Sequence, residues 1–437
     1  MNLQTVISGD WAMAEKVVIM AGGKGSRIAS VRSDVPKPMI EVGGKPVLEH
    51  IILCAKKQGF TDFIISIGHL GEVIRNYFGD GSKWGIDIEY CSETRPLGSG
   101  GALSLMKEQL KDDFLLLNGD IMIDADFRRV IDFHRKHQAL VTLFTHPNSH
   151  PYDSGLVIAE GDGMVTGWLT KEDKRGFCEN RVNAGIHVMS PEVIRNLEEN
   201  AVYDLDRDIL RPLIASGRVF AYGSPEYVKD MGTPERYAQV CHDYETGRIG
   251  RKNLIQKQKA IFLDRDGTLN VYKGFITKAE DIELLLGVAE AIRKINDSDY
   301  LAIVITNQPV VARGECTFGE LRRIHAALET LLGAEGAYLD GIYFCPHHPD
   351  KGFPGEVPEL KTDCECRKPK PGLFLRAAKD FNIDLSSSYM VGDGLRDVEA
   401  AHNAGCRAVY IGGEPLPDGV QAECFHDLAG FVNKLIK

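Results

Sequence analysis

No apolar run in the 437 residues approaches the roughly 20 needed to cross a bilayer. Basic residues are in the minority as well: 51 Lys and Arg stand against 62 Asp and Glu, a formal charge of -11. That balance excludes a general nucleic-acid binder, which needs a basic face. It leaves room for anions held locally by backbone N–H groups and a few cations. The opening MNLQTVISGDWAMAEK carries Asp10 and Glu15 and has no basic stretch followed by a continuous apolar one, which excludes a secretory signal. A start at Met13 and a disordered extension over the first dozen residues are both open readings. A short-period repeat is also lacking. These absences point to a cytoplasmic, reducing setting with no membrane partner. There, clustered cysteines suggest metal or catalysis more than disulfides.

What is present is core material, 43% hydrophobic residues beside 26% charged, in a chain long enough for two domains. From Lys16 short β-branched runs alternate with amphipathic segments. KVVIM reads as a buried strand, and PVLEHIILCAKK as a helix with Leu48, Ile51, Ile52 and Ala55 on one side. FIISIG and FLLLNGD are further strands. Such alternation implies a mostly parallel sheet covered by helices on both faces, with ligands at the carboxyl ends of the strands. The pattern lapses over YETGRIGRKNLIQKQK (Tyr244–Lys259), read as a solvated joint in preference to a functional basic patch. It restarts with KAIFLD and continues through LAIVITN, GIYFC, YMVGD and AVYIG. The expectation is an α/β protein of two doubly wound domains, 14–247 and 259–437, joined by a linker over 248–258.

IFLDRDGTLN places Asp264 and Asp266 just past a strand, on one side of an extended chain. Two such carboxylates suit a bound Mg²⁺ and a division of labour between nucleophile and proton donor. Alone, D-x-D-G also reads as a turn. AIVITNQ ends a strand at Thr306 and Asn307, whose hydroxyl and amide could hold phosphoryl oxygens. CRKPKPG brings Arg367 and Lys368 before a helix, where they could neutralise a transferring phosphate. YMVGDGLRD ends another strand at Asp393, with Asp397 following. The ordered set, over about Lys259 to Ile411, resembles the haloacid dehalogenase superfamily. The resemblance implies that Asp264 attacks phosphorus, and that Asp266 protonates the leaving alcohol and then deprotonates the hydrolytic water. It also implies Mg²⁺ on Asp264, Asp393 and the Asp266 main-chain carbonyl, and phosphate anchored by Thr306 and Lys368. About 40 residues from Asp266 to Thr306, and about 60 from there to Lys368, leave no room for a large lid domain. The site should be open, with loops supplying specificity.

From the last residue of GIYFC through CRKPKPG runs CPHHPDKGFPGEVPELKTDCECRKPKPG (345–372), too rich in Pro, Gly and charge for a helix or strand. Cys345-x-His347 and Cys364-x-Cys366 offer four tetrahedral ligands, a spacing that by itself also fits reduced loop thiols. CPHHP and CECRKP resemble the zinc loop of bacterial heptose bisphosphate phosphatases and the related histidinol phosphatases. That likeness implies a structural zinc on Cys345, His347, Cys364 and Cys366, with His348 the less favoured substitute for His347. Two places depart from the heptose phosphatases: Pro309 and Val310 stand where Ser-Gly is usual, and Gly394 where Lys is usual.

In the first half, VVIMAGGKGSR sets Gly22, Gly23 and Gly25 straight after a strand, where backbone N–H groups can approach phosphates. Ile28 occupies the place of the third glycine of G-x-G-x-x-G, and no Walker G-K-[ST] ending follows. A plain strand–helix turn explains the glycines but not Arg27, nor Lys37 stiffened by Pro36 and Pro38. AGGKGSR, VPKPM, ETRPLGSGGAL, LLLNGD, NAGIHVM and VKDMGTPERY resemble the nucleotidyltransferases that make nucleoside-diphosphate sugars, over about Lys16 to Thr246. The resemblance implies Mg²⁺ on Asp120 and Asp230, and Arg27 and Lys37 stabilising charge while a sugar-1-phosphate oxygen displaces pyrophosphate. It places Gly98, Ser99 and Gly100 at the base and ribose, Asn183 and Gly185 at the sugar, and Lys171 at its phosphate. Thr170 stands where relatives often have Glu. His69 lies near the expected base pocket or packs a loop.

Together the halves suggest a sequence of reactions: removal of the 7-phosphate from D-glycero-D-manno-heptose 1,7-bisphosphate, then nucleotidyl transfer to heptose 1-phosphate. The heptose guanylyltransferases belong to the family that the first half resembles. The expected partners are therefore heptose phosphates and a nucleoside triphosphate, GTP in particular, giving GDP-heptose for surface glycans. A homo-oligomer is compatible with the sequence. The alternatives are a mannose or glucose phosphate with UTP, CTP or dTTP, and a non-catalytic nucleotide-sugar sensor.

Overall fold

A computed structural model describes residues 16–23 and 34–436, and these separate into two compact units. The first runs to Leu143 and adds Gly185–Tyr222 and Val228–Gly247; the second comprises Phe144–Ala184, Gly223–Tyr227 and the chain from Arg248. Among the described residues no helix is long and apolar enough to cross a membrane.

The chain opens with β1 (Val17–Met20), α1 (Val47–Lys56), β2 (Asp62–Ile67), β3 (Asp87–Ser92) and β4 (Phe114–Asn118). Strands β1, β2, β3 and β4 form a parallel sheet in the order β3-β2-β1-β4. Val17, Val18 and Ile19 are fully buried, as are Leu115, Leu116 and Leu117 beside them, so the central strands read as continuous apolar runs. Helix α1 starts after Pro46 and turns Leu48, Ile51, Ile52 and Ala55 to the core. Next come β5 (Ile121–Asp124) and α2 (Phe127–His137), the latter capped by Asp126, whose carboxylate accepts from the Arg128 and Arg129 N–H groups. In the second unit β6 (Leu156–Ala159) and β7 (Val165–Leu169) pair antiparallel. Strand β8 (Val182–Met189) lies antiparallel to β4 through Ile186–Met189. Then β9 (Tyr227–Asp230) pairs with β5, and α3 (Pro234–Glu245) follows.

The rest of the second unit begins with β10 (Lys259–Leu263), α4 (Val288–Asn296), β11 (Tyr300–Asn307), α5 (Phe318–Ala334) and β12 (Gly341–Cys345). It ends with α6 (Gly372–Asp380), β13 (Tyr389–Gly392), α7 (Leu395–Ala404), β14 (Arg407–Tyr410), β15 (Glu423–Cys424) and α8 (Leu428–Leu435). The sheet is wholly parallel, in the order β12-β11-β10-β13-β14-β15. Alternation along β10 sends Ile261 and Leu263 to one core cluster and Ala260 and Phe262 to the other. Both faces are therefore covered, as the sequence implies. The T-F-G-E run opens α5 as a capping box, Thr317 Oγ1 accepting from the Glu320 N–H and Glu320 accepting from the Thr317 N–H.

Two differences from the sequence reading concern the joint. Residues 248–258 are not a solvated tether: Leu254 and Gln258 are buried, and the Leu254 N–H donates to Glu226. Lys252 lies 3.7 Å from the fully buried Asp340 carboxylate. The basic residues that suggest solvation are spent on acidic partners, Arg248 on Asp297 and Arg251 on Asp299. The second difference is that Phe144–Ala184, which the boundary 14–247 assigns to the first domain, packs with the second unit. Arg322 of α5 pairs with Glu160, and Thr330 accepts from the Cys178 N–H.

Candidate active sites

Three strand ends of the parallel sheet build the site of the second unit. Asp264 follows β10, Thr306 and Asn307 close β11, and Asp393 follows β13. Donor atoms of Asp264, Asp393 and Asp397 lie within 4.8 Å of one another. The Lys368 ammonium, almost entirely buried, sits 2.9 Å from Asp264 and 2.6 Å from Asp397. Burial pushes the Lys368 pKa down, but these two carboxylates outweigh it and the group is held above its ordinary value. Burial pushes Asp264 up, with Lys368 opposing, and likewise raises Asp393, to which Asp264 adds.

A single ammonium among three converging acids leaves negative charge uncompensated, and the donors are hard oxygens. The set fits a divalent cation such as Mg²⁺. Gly267, at φ +78°, leaves space for the Asp393 carboxylate: a Cβ there would stand 2.0 Å from an Asp393 oxygen. The Asp266 carboxylate is turned away from this trio, toward Arg265, Gln308 and Asn270. As a ligand, Asp266 is therefore left with its main-chain carbonyl, the group named for it above.

Asn307, assigned above to a phosphoryl oxygen, is engaged otherwise. Its amide nitrogen donates to the Lys368 carbonyl at 3.0 Å and its oxygen accepts from the Lys368 N–H at 2.9 Å. This two-point clamp holds the Lys368 backbone against the end of β11. Arg367 donates to the His347 carbonyl, so it is tied to the cysteine loop.

In that loop the sulfurs of Cys345, Cys364 and Cys366 are 3.2–3.4 Å apart, and His347 Nδ1 lies 3.2 Å from Cys366 and 3.6 Å from Cys345. Zn–S bonds of about 2.3 Å would set tetrahedral edges of about 3.8 Å, so the four donors form a cage close to that size. The contact between Cys345 and Cys366 lowers the Cys366 pKa and raises that of Cys345. A closed Cys₃His donor set at this spacing fits zinc. His348 is not part of this cluster; its ring stands beside Phe353.

The site of the first unit gathers residues from distant parts of the sequence. Lys37, buried, donates to Asp120 at 2.6 Å and to Asp230 at 3.1 Å. One ammonium touches both acids, which places them within reach of one small cation. Burial pushes the Asp230 pKa up, but Lys37 and Arg236, the latter at 2.7 Å, more than offset it and hold the carboxyl below its ordinary value. Around these acids backbones come close. A Cβ on Gly22 would stand 2.4 Å from Glu93, and one on Gly185, at φ +72°, would stand 2.3 Å from the Asn118 amide. Gly98, at φ +81°, and Gly100 pack on the turn at Tyr203–Leu205, where Ser99 Oγ accepts from the Leu205 N–H. His69 is exposed and packs no loop interior. Lys171 and Asn183 belong to the second unit; Lys171 is exposed beside Glu172. Gly25 and Arg27 lie outside the described residues.

Comparison with known proteins matches both halves of the chain. The family described as "Nucleotidyl transferase" matches residues 16–247, more than half of the chain, and one described as HAD-hydrolase-like matches residues 365–414. The chain joins a nucleotidyl transferase to a haloacid dehalogenase phosphatase. It is thus a bifunctional enzyme. Over 165 residues it is 41% identical to the D-glycero-beta-D-manno-heptose-1,7-bisphosphate 7-phosphatase of Yersinia pestis, covering 37% of this chain and 86% of that one. Over 233 residues it is 31% identical to the mannose-1-phosphate guanylyltransferase of Mycobacterium tuberculosis, covering 53% of this chain and 64% of that one. Among solved structures, the D,D-heptose 1,7-bisphosphate phosphatase of B. bronchiseptica with magnesium and phosphate is 33% identical, covers 41% of this chain and 98% of that one, and has a TM-score of 0.36.

The phosphatase residues that the sequence reading does not name are Arg265 and Gln308, and in the transferase Arg236 and Glu93. Gln308 stands beside the named Thr306 and Asn307, and Arg265 between two named aspartates. Alternation along the strand is the signal that could have found Gln308, because it returns to the side of Thr306.

Proposed function

We propose that the phosphatase removes the 7-phosphate of D-glycero-D-manno-heptose 1,7-bisphosphate and that the transferase then converts heptose 1-phosphate and GTP into GDP-heptose and pyrophosphate. The single observation that carries the hydrolytic half is Lys368 bridging Asp264 and Asp397 beside Asp393. An Asp264 oxygen attacks phosphorus, the bond from phosphorus to the sugar oxygen breaks, and Asp266 gives that oxygen its proton. Water then attacks the aspartyl-phosphate, Asp266 takes the proton, and inorganic phosphate leaves. Lys368 and Thr306 hold the phosphoryl oxygens. Asp264, Asp393 and the Asp266 carbonyl would hold Mg²⁺, which when bound would neutralise charge between the anionic nucleophile and the anionic substrate. Zinc on Cys345, His347, Cys364 and Cys366 has a structural role, closing the loop that leads into Arg367 and Lys368.

In the transferase a sugar-phosphate oxygen attacks the α-phosphorus of the nucleotide and pyrophosphate leaves. Catalysis is alignment and charge neutralisation, with Lys37 and Arg27 as the cations and Asp120 and Asp230 as holders of Mg²⁺. Heptose as the sugar is supported by likeness to the heptose phosphatase. Guanine as the base is supported by likeness to the mannose-1-phosphate guanylyltransferase. That second likeness also favours mannose 1-phosphate as the alternative acceptor.

Incubating the enzyme with the heptose bisphosphate and each nucleoside triphosphate in turn, and with mannose 1-phosphate in parallel, tests the whole reading by mass spectrometry. GDP-heptose from GTP alone is expected. A nucleotide sugar formed only from mannose 1-phosphate would overturn the sugar assignment.

A further inference from the structure

Asp266 is held more completely than its role as a mobile proton carrier would suggest. Oδ1 accepts from Arg265 Nε at 3.2 Å, Arg265 Nη2 at 3.0 Å and Asn270 Nδ2 at 3.0 Å. Oδ2 accepts from Arg265 Nη2 at 2.9 Å and from Gln308 Nε2 at 2.9 Å. The same Gln308 nitrogen donates to Thr306 Oγ1 at 3.0 Å, and the Gln308 oxygen accepts from Arg265 Nη2 at 2.9 Å. Arg265 is fully buried, and Thr306 and Gln308 nearly so.

The direction of this network is fixed at its Arg265 end. A guanidinium only donates. The Gln308 oxygen must therefore face Arg265, which turns its nitrogen to Asp266; a flipped amide would oppose donor to donor at Arg265. Thr306 then accepts from Gln308, which leaves its own hydroxyl proton for another acceptor. Strand geometry sorts these roles: Thr306 and Gln308 share one side, where the Gln308 amide reaches both Thr306 and Asp266, while Asn307 between them turns to the Lys368 peptide. The Gln308 backbone is fixed as well, its N–H donating at 2.8 Å to the carbonyl of Cys345.

We propose that Gln308 is a positioning residue for the phosphatase: its amide sets the Asp266 carboxylate and the Thr306 hydroxyl proton in register with the phosphoryl group, against the fixed Arg265 cation. The proposal rests on the reading of Asp266 as the group that protonates the leaving oxygen. A sugar alkoxide needs that proton and p-nitrophenolate does not, so loss of positioning discriminates between the two leaving groups.

The test is kcat/KM of Gln308→Leu for the heptose bisphosphate and for p-nitrophenyl phosphate. This quantity covers the steps through formation of the aspartyl-phosphate, so slow hydrolysis of that intermediate does not enter. The alkyl ester is expected to lose at least about tenfold more than the aryl ester, within the range for general acid catalysis. The ratio taken on one preparation cancels any inactive fraction, and Gln308→Met, of similar length and volume, serves if the leucine variant does not fold. Equal loss on both esters, or none, would overturn the role of Gln308 provided that Asp266→Asn shows the differential. If Asp266→Asn itself loses equally on both, the proton-donor reading fails and takes the proposal with it.

Discussion

The two centres use the same elements, a lysine bridging two aspartates, in opposite settings. In the phosphatase, Lys368 is 2% exposed and its partners Asp264 and Asp397 are 17% and 4% exposed. In the transferase, Lys37 is 9% exposed, but Asp120 and Asp230 are 38% and 41% exposed. The difference suits the proposed chemistry. A covalent nucleophile would need to be held still, and burial with a paired cation does that. A centre that only aligned two large substrates would leave its acids open to them. The phosphatase site is also local in sequence, 264 to 397, whereas the transferase draws on 37, 120 and 230.

The comparison breaks if the centres are not independent. Asp264→Asn should lower phosphate release by at least about a thousandfold, since it removes the attacking oxygen's charge. It should leave transfer to a supplied sugar 1-phosphate within about twofold. Asp120→Ala should do the reverse, stopping pyrophosphate formation and sparing phosphate release. Parallel assays of both variants check this, and loss of both activities in either would show coupling.

A smaller effect should separate the two lysines by stability. Lys368→Met leaves buried carboxylates unpaired and should cost about 3–5 kcal/mol. Lys37→Met leaves acids that water already reaches and should cost under about 1 kcal/mol. Thermal unfolding of the two variants would give similar shifts only if exposure does not decide the matter. Chelation of the Cys₃His site should act on one centre alone, lowering phosphatase activity at least about tenfold while transfer is unchanged. The untreated protein should carry about one zinc per chain.

Much of the phosphatase was legible because its groups follow strands in a parallel sheet. D-x-D, T-N and G-D each end a strand, and strand ends converge by topology alone. Spacing of Cys345, His347, Cys364 and Cys366 leaves reduced loop thiols open; the likeness of CPHHP and CECRKP to a zinc loop picks out the cage, which forms because the two short pairs fold back on each other. The clamp of Asn307 on the Lys368 peptide is not legible in the sequence, because a strand end shows which residues are present but not the side to which each turns. The joint was misread because charge suggests solvent when its partners, Asp297, Asp299 and Asp340, lie 40 and more residues away in the sequence. The buried role of Arg265 was hidden for the same reason: its bond to Gln308 spans two strands.

The boundary between the regions can be sharpened by one further residue. The nucleotidyl transferase family extends through 247, yet Phe144–Ala184 packs with the phosphatase unit. Glu329 of α5 lies at that packing. Burial pushes its carboxyl up to about 8, Glu179 adds to this, and Arg181 and the Asn180 N–H oppose it. An unfolded glutamate titrates near 4.5. Between those values the unfolded chain has released the proton while the folded one keeps it, so stability falls as pH rises from about 4.5 to about 8 and is level above. Glu329→Gln keeps the shape and removes the titration. Over that window the native protein should lose about 2 kcal/mol more than the variant, a figure below the full shift because the side chain keeps some exposure. Unfolding followed at pH 5 and pH 8.5 checks it. Parallel behaviour of the two proteins would mean that Phe144–Ala184 does not bury Glu329 in solution and that the family boundary is also the physical one.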